Sequence, residues 1–178
     1  MSIPLLILST ILFIGSFATL FVRDMLAPIL GFLALLLMWL SDALPLNSTI
    51  IIMWLCITAI VTCLPAIRQH KLDIGKQGSA YLLTGAFTGM VVGLLGVTFT
   101  PTVSMLYGIM IVATVAGTFF GFMLFSNTPA GKDYSFTSGK FFEYLLAKGF
   151  PTAITVMQAG IVLTLLTYKS QLADQAII

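Results

Sequence analysis

Residues 83–96 read LTGAFTGMVVGLLG, and this stretch decides the fold class. Gly85, Gly89 and Gly93 recur every four residues, which places them on one face of an α-helix. In water each helical glycine costs about 1 kcal/mol relative to alanine. The stretch lies inside the segment 77–131, which carries no charged residue. We therefore expect a helix in lipid, where small residues let two backbones approach closely.

The composition of the whole chain supports a membrane environment. Of its 178 residues, 59% are hydrophobic and 8% are charged, whereas soluble domains carry about 25% charged residues. This amount of apolar surface predicts an integral membrane protein with the lipid bilayer as its surroundings. The net charge of +2 comes from a few loop residues and does not indicate nucleic-acid binding.

Charged residues and prolines divide the chain into apolar runs, and about 20 apolar residues are needed to cross a bilayer. Pro101 divides the longest run, because proline lacks an amide donor and restricts the preceding residue. We predict an all-α polytopic membrane protein, a single domain over 1–178 with about six transmembrane helices. The expected spans are 2–22, 25–44, 47–67, 79–98, 102–125 and 149–168. The Arg23–Asp24 connection is short enough that the first two helices could instead form a partly re-entrant hairpin.

Basic residues are unevenly distributed over the predicted loops. The loops after the first, third and fifth helices contain every lysine and arginine except Lys169. The positive-inside rule therefore predicts that these loops are cytoplasmic and that both termini lie on the non-cytoplasmic side. Long apolar helices favour a bacterial inner membrane over an outer membrane of β-barrels. The cytoplasmic-side anchors are predicted to be Arg68, Lys71, Lys76, Lys140 and Lys148.

The first helix is expected to be retained, since residues 1–22 lack the basic region of a signal peptide. The segment SGKFFEYLLAKGF (138–150) has phenylalanines and leucines on one side of a helix, with Lys140, Glu143 and Tyr144 largely facing away. This pattern predicts a short interfacial amphipathic helix near 138–148. The alternative is a helix that merely leads into the sixth span.

A second series of small residues follows in the fifth predicted helix: Ala113, Gly117 and Gly121. Together with Gly85, Gly89 and Gly93 it predicts a glycine-zipper helical hairpin, in which the two faces pack against each other. The alternative is that one face points outward and receives a helix of another subunit.

The segment HKLDIGKQGSA (70–80) leads into this hairpin, its proline turn TFTPT (98–102) and a last span. Over roughly residues 70–168 this arrangement resembles the small bacterial membrane proteins of domain-of-unknown-function family 456. The chain has FVRDMLAP (21–28) where the family has a proline- and glycine-rich link, and GFMLFSNTP (121–129) lacks the family's acidic residue. The resemblance implies architecture only, because the family has no established activity.

Few residues suggest chemistry. Asp42, in MWLSDALPLN (38–47), and Gln158, in the middle of the sixth span, are the candidate polar sites. For each, a structural role is the alternative: an interfacial aspartate in water, and a hydrogen bond between helices. Arg23 and Asp24 are expected to neutralise each other. Cys56 and Cys63 are seven residues apart, about 10 Å along a helix, and are expected to be buried thiols, not a disulfide or a metal site.

No hydrolase, metalloprotease or nucleotide-binding motif occurs in the sequence, so we expect neither an enzyme, nor a cofactor, nor a metal site. The sequence favours a non-catalytic membrane subunit, which packs through its small-residue helix faces against other integral membrane proteins of an inner-membrane complex. The alternative is a small homo-oligomeric transporter or channel for an uncharged or lipid-like substrate.

Overall fold

A computed structural model describes residues 3–44, 46–67, 78–97 and 103–175, and within these ranges the chain is helical with no strand. The prediction of an all-α fold is therefore confirmed for this part. The first five helices are α1 (Ile3–Thr19), α2 (Leu26–Leu40), α3 (Ser48–Ile67), α4 (Ser79–Val97) and α5 (Val103–Ser126). After a 3-10 turn at Lys132–Tyr134, three elements follow one another without a break: α6 (Phe141–Tyr144), a π-helical turn (Leu145–Gly149) and α7 (Phe150–Gln175).

Among the described residues, three helical stretches are long and apolar enough to cross a membrane: Ser79–Gly96, Tyr107–Ser126 and Phe141–Leu166. The helices of the first third of the chain are apolar but shorter in the described part. With 15 residues, α2 is about 23 Å long, less than the roughly 30 Å hydrocarbon core of a bilayer. The helices are thus compatible with a membrane protein, three of them by length as well as by composition.

The last helix lies at the centre of the bundle. In an 18-residue window within Phe141–Leu166, 78% of the residues are buried, against 39% and 33% in the corresponding windows of α4 and α5. One side of α7 packs with α2 and α3 in a core that includes Leu35, Trp54 and Ile161. Its other side fits between α4 and α5, where Gly160 lies against Met90 and Met110. α7 therefore joins the two halves of the chain.

A cluster of aromatic side chains replaces the predicted interfacial helix. Tyr144 is fully buried and lies 5.6 Å from Phe122 and 5.4 Å from Phe125, measured between ring centroids. Phe142, predicted to share an apolar face with Phe141, is 68% exposed. Residues 141–149 continue directly into α7, so the alternative of a leading helix fits the structure and the surface-helix prediction does not. The prediction failed because Tyr144 packs against other aromatic rings inside the bundle. In addition, the π-helical turn changes which residues share one side of the helix.

The prediction of buried cysteine thiols is wrong. Cys56 and Cys63 are both exposed on α3. That helix uses Ile51, Trp54 and Thr58 to pack against the bundle, and all three are buried. Residues 51, 54 and 58 follow the spacing of one helical face, and the two cysteines lie on a different face of α3.

Candidate functional site

Four polar residues meet at one end of the bundle, and we call them the Lys148 cluster: Asp24, Ser79, Tyr144 and Lys148. The Lys148 ammonium donates a hydrogen bond to Ser79 Oγ at 2.8 Å, and its Nζ lies 3.8 Å from Asp24 Oδ2. These contacts join the α1–α2 connection, the start of α4 and the π-turn. The Lys148 side chain is only 6% exposed and that of Asp24 21%, so this is a largely buried ion pair.

The local structure explains why the lysine points inward. Lys148 lies in the π-turn, in which each turn holds about one residue more than an α-helical turn. Next to it, Gly78 adopts a φ of +86°, which favours glycine, and a Cβ there would overlap the hydroxyl oxygen of Tyr144. Gly78 thus both turns the chain into α4 and leaves the space that Tyr144 occupies.

The electrostatics of the cluster are set by burial. Burial raises the pKa of the Asp24 carboxyl above its ordinary value of 3.8, and the Lys148 ammonium opposes this rise without cancelling it. Asp24 Oδ1 and the Tyr144 hydroxyl are both buried and have no hydrogen-bond partner. A buried polar group without a partner costs about 1–3 kcal/mol.

Two predictions about these charges require correction. Lys148 was predicted to be a cytoplasmic-side anchor, but its side chain is buried inside the bundle. Asp24 was expected to neutralise Arg23, but its ion pair is with Lys148, while Arg23 is exposed. Of the other predicted anchors, Lys140 is exposed, and Arg68, Lys71 and Lys76 lie outside the described residues.

Gln158 lies farther along α7 and is fully buried. Its Nε2 donates a hydrogen bond to Thr58 Oγ1 on α3 at 3.0 Å. Its Oε1 has no hydrogen-bond donor and lies against Gly31 on α2, where a Cβ would overlap it. Gln158 thus connects three helices by one hydrogen bond and one close contact.

The structure does not place the second candidate, Asp42, in the same environment as Gln158. Asp42 is exposed, in the connection between α2 and α3, and adopts a φ of 55°. Its backbone N–H donates to the carbonyl oxygen of Trp39 at 3.1 Å. These features describe a helix C-terminal turn, so the two predicted polar residues do not form one site.

The two series of small residues lie face to face. A Cβ on Gly85 would overlap the carbonyl oxygen of Gly117 and approach Gly121 Cα to 2.8 Å. A Cβ on Gly89 would overlap the carbonyl oxygen of Ala113, and one on Gly93 would lie 3.1 Å from Met110 Cα. The backbones of α4 and α5 are therefore in contact along antiparallel helices, and these faces are occupied within the chain.

An apolar cavity of about 230 Å³ opens between α3, α5 and α7. It is lined by Ile50, Met53, Trp54, Tyr107, Ile111 and Ile161. The indole N–H of Trp54, a residue 2% exposed, has no acceptor. The cavity suits an apolar group. Within the described ranges no group of three or more histidine, cysteine or acidic residues could hold a metal ion.

Sequence reasoning missed Tyr144, Ser79 and the partnership of Asp24 with Lys148. One signal was available: Lys148 lies within a mostly apolar helical segment, just before Gly149 and Pro151. A lysine inside such a helix is costly unless it is paired, which favours a nearby carboxylate. The choice of Asp24 as that carboxylate depends on a long-range contact that no local pattern reveals.

Comparison of the chain with protein-family models, with curated proteins and with solved structures finds no match.

Proposed function

We propose that this chain is a non-catalytic integral membrane subunit, which packs against other integral membrane proteins in a larger inner-membrane complex. The supporting observation is an apolar face on α1 that is exposed in the described part of the structure, which we call the α1 stripe: Ile3, Ile7, Ile11 and Ile14. These side chains are 57–70% exposed and share one helical face. α1 packs mainly on α2 and only slightly on α7, so the stripe is open to a neighbour.

Physical chemistry favours a protein neighbour for this face. With 17 residues α1 is about 26 Å long, shorter than the roughly 30 Å bilayer core. Short helices are accommodated by thinning the bilayer or by association with other helices. Isoleucine in a helix has one strongly preferred χ1 rotamer, so the stripe loses little side-chain entropy when it packs. The small-residue faces, by contrast, act in this proposal as a glycine zipper inside the chain.

The proposal includes a topology of six membrane crossings with both termini on the non-cytoplasmic side of a bacterial inner membrane. Its support is the distribution of basic residues. Arg23, Lys132 and Lys140 are exposed and flank the Lys148 cluster along the chain, at one end of the bundle. Under the positive-inside rule this end is cytoplasmic. The resemblance to family 456 adds architecture to this proposal and no activity.

The test is purification of the full chain, expressed at its native level, in mild detergent, with mass spectrometry of the co-purifying proteins. We expect a stoichiometric integral membrane partner. Replacing two stripe residues, Ile7→Trp with Ile11→Trp, should reduce the recovered partner about tenfold, equivalent to 1.4 kcal/mol. The matched control is Val112→Trp on α5, which changes an equally exposed apolar position and should leave the partner bound. A chain that always purifies alone, or a partner unaffected by the stripe variant, contradicts the proposal.

A second candidate is a small homo-oligomeric transporter or channel for an uncharged or lipid-like substrate. It is favoured by the apolar cavity with the unpartnered Trp54 N–H and by the buried Gln158 amide. In reconstituted vesicles, this candidate predicts flux of such a substrate that Gln158→Leu or Asp42→Asn impairs without loss of expression. Unchanged flux in both variants would remove these residues from any transport path.

A further inference from the structure

The apolar cavity between α3, α5 and α7 borders a polar group that the protein leaves unsatisfied. Trp54 lines this cavity, is 2% exposed, and has an indole N–H without an acceptor among the described residues. The other tryptophan of the chain differs, since the Trp39 indole N–H donates to the carbonyl oxygen of Leu46 at 3.0 Å. We propose that the cavity binds an uncharged, lipid-soluble ring compound of the quinone type, whose carbonyl oxygen accepts a hydrogen bond from Trp54.

The unsatisfied N–H requires an acceptor that hydrocarbon cannot provide. A buried indole N–H usually has a hydrogen-bond partner, and native structures leave few buried donors without one. Tryptophans at a membrane surface lie at the level of the headgroups. Trp54 is instead buried in the same core as Leu35 and Ile161. A carbonyl oxygen inside the cavity that Trp54 lines would supply the missing acceptor.

Water is a poor occupant of this cavity. A buried water typically makes about three hydrogen bonds, and apolar cavities stay dry and bind apolar molecules instead. Of the six described lining residues, only Trp54 and Tyr107 carry a side-chain N–H or O–H. The other four are isoleucines and a methionine. A water molecule would therefore lack enough polar partners, whereas an apolar molecule with one acceptor would not.

The volume and the lining of the cavity suit a substituted ring. An apolar cavity of about 150 Å³ binds benzene, and this cavity measures about 230 Å³. The rings of Trp54 and Tyr107 can pack on a flat ligand in offset or edge-to-face arrangements. The Met53 thioether adds a favourable sulfur–aromatic contact. These contacts favour a ring over a flexible chain.

The charge of the lining distinguishes this ligand from a phospholipid. None of the six described lining residues carries a charge. The ester carbonyl of a phospholipid lies close to its phosphate, and burial of a charge without a partner is strongly unfavourable. An acyl chain alone would leave the Trp54 N–H without an acceptor. A ring carbonyl meets both conditions, and because the site belongs to the chain itself, the inference does not rest on the proposed membrane partner.

The test is equilibrium dialysis of the full chain in lipid nanodiscs against empty nanodiscs, with duroquinone as the probe. Its four methyl groups block addition of the exposed thiols of Cys56 and Cys63 to the ring. The control ligand is durene, which has the same methylated ring and no carbonyl. We expect saturable binding of duroquinone in excess of the empty nanodiscs. Durene should bind about fivefold more weakly, which corresponds to one net hydrogen bond.

Substitutions in the cavity separate binding from partition into lipid. Ile111→Trp fills the cavity and should weaken duroquinone binding about tenfold. Val112→Trp adds the same side chain at the neighbouring position, which is 68% exposed, and should leave binding unchanged. Trp54→Phe removes the N–H and keeps an aromatic ring, so it should weaken duroquinone about fivefold and durene little. If Ile111→Trp does not fold, Met53→Trp fills the same cavity from α3.

Three results would overturn the proposal. The first is no saturable binding of duroquinone, or equal binding in the wild type and the cavity-filling variant, which indicates partition into lipid. The second is an equal loss of duroquinone and durene in Trp54→Phe. The third is a phospholipid that co-purifies with the wild type but not with Ile111→Trp, and that duroquinone does not displace. Loss of a membrane partner changes none of these measurements, so the two proposals fail separately.

Discussion

At the residue scale, Gly31 and Gln158 show how a single missing side chain determines a helix contact. The Gln158 amide lies against Gly31 while its Nε2 hydrogen-bonds to Thr58, so α2, α3 and α7 meet at one position. Hydrogen bonds between membrane helices contribute about 0.6 kcal/mol on average. The close contact at Gly31 constrains the same amide from the other side.

We predict that Gly31→Ala destabilises the protein by about 1–3 kcal/mol, the usual cost of overpacking a core. The added Cβ would overlap Gln158 Oε1 and lie 3.4 Å from its Cδ, so the amide would have to leave Thr58. Unfolding in detergent measures the change. The control is Gly15→Ala on α1, whose Cβ would meet only Leu30 Cδ1 at 4.0 Å and should change stability little. Equal stability of both variants would show that Gln158 adapts without cost.

The sequence identified Gln158 as a candidate polar residue but did not predict which residues surround it. A lone amide in an apolar helix indicates a buried hydrogen bond, and Gln158 has one. Its acceptor, Thr58, is one of many threonines in the chain, and others donate to their own helix, as Thr155 does to the carbonyl oxygen of Pro151. Nothing local distinguishes the threonine that accepts a bond from a distant amide.

At the element scale, the α4–α5 hairpin depends on backbone contact and not on side-chain interlocking. The carbonyl oxygens of Gly85 and Gly117 each lie where the other glycine would carry a Cβ. Backbone atoms cannot rotate away as side chains do, so this interface tolerates enlargement poorly. The spacing of glycines in the sequence predicted that these helices pack closely. It left open whether the neighbouring helix belongs to the same chain or to another subunit. The structure places α5 of the same chain there.

We predict that Gly89→Ala destabilises the hairpin by about 1–3 kcal/mol. The new Cβ would overlap the carbonyl oxygen of Ala113 and lie 2.9 Å from its carbonyl carbon, which forces α4 and α5 apart. Gly108→Ala on α5 is the matched control, because a Cβ there has nothing within 4 Å. Detergent unfolding of the two variants provides the comparison. A destabilisation at Gly108 as large as that at Gly89 would contradict the role of helix contact, because the higher helix propensity of alanine favours both variants.

At the scale of the whole molecule, helix positions were predictable and helix arrangement was not. Prolines and charges bound the helices, so the predicted 47–67 and 79–98 lie within a residue of α3 and α4. A helix in lipid is apolar on all sides, and its sequence carries no amphipathic signal for its buried face. The sequence therefore does not show which face of each helix is buried. For this reason it did not predict the central position of α7, the buried side chain of Lys148 or the exposed cysteines.

The central position of α7 has a consequence for biosynthesis. A ribosome makes α1 to α5 before α7, yet α7 supplies the contacts that join α2 and α3 to α4 and α5. Until α7 enters the membrane, Thr58 lacks the amide of Gln158, and Asp24 and Ser79 lack Lys148. The described hydrogen bonds and the ion pair that join α7 to the rest of the bundle can therefore form only after α7 has been made. During translation the two halves of the described bundle thus wait for α7, and their packing against each other is a late step of folding.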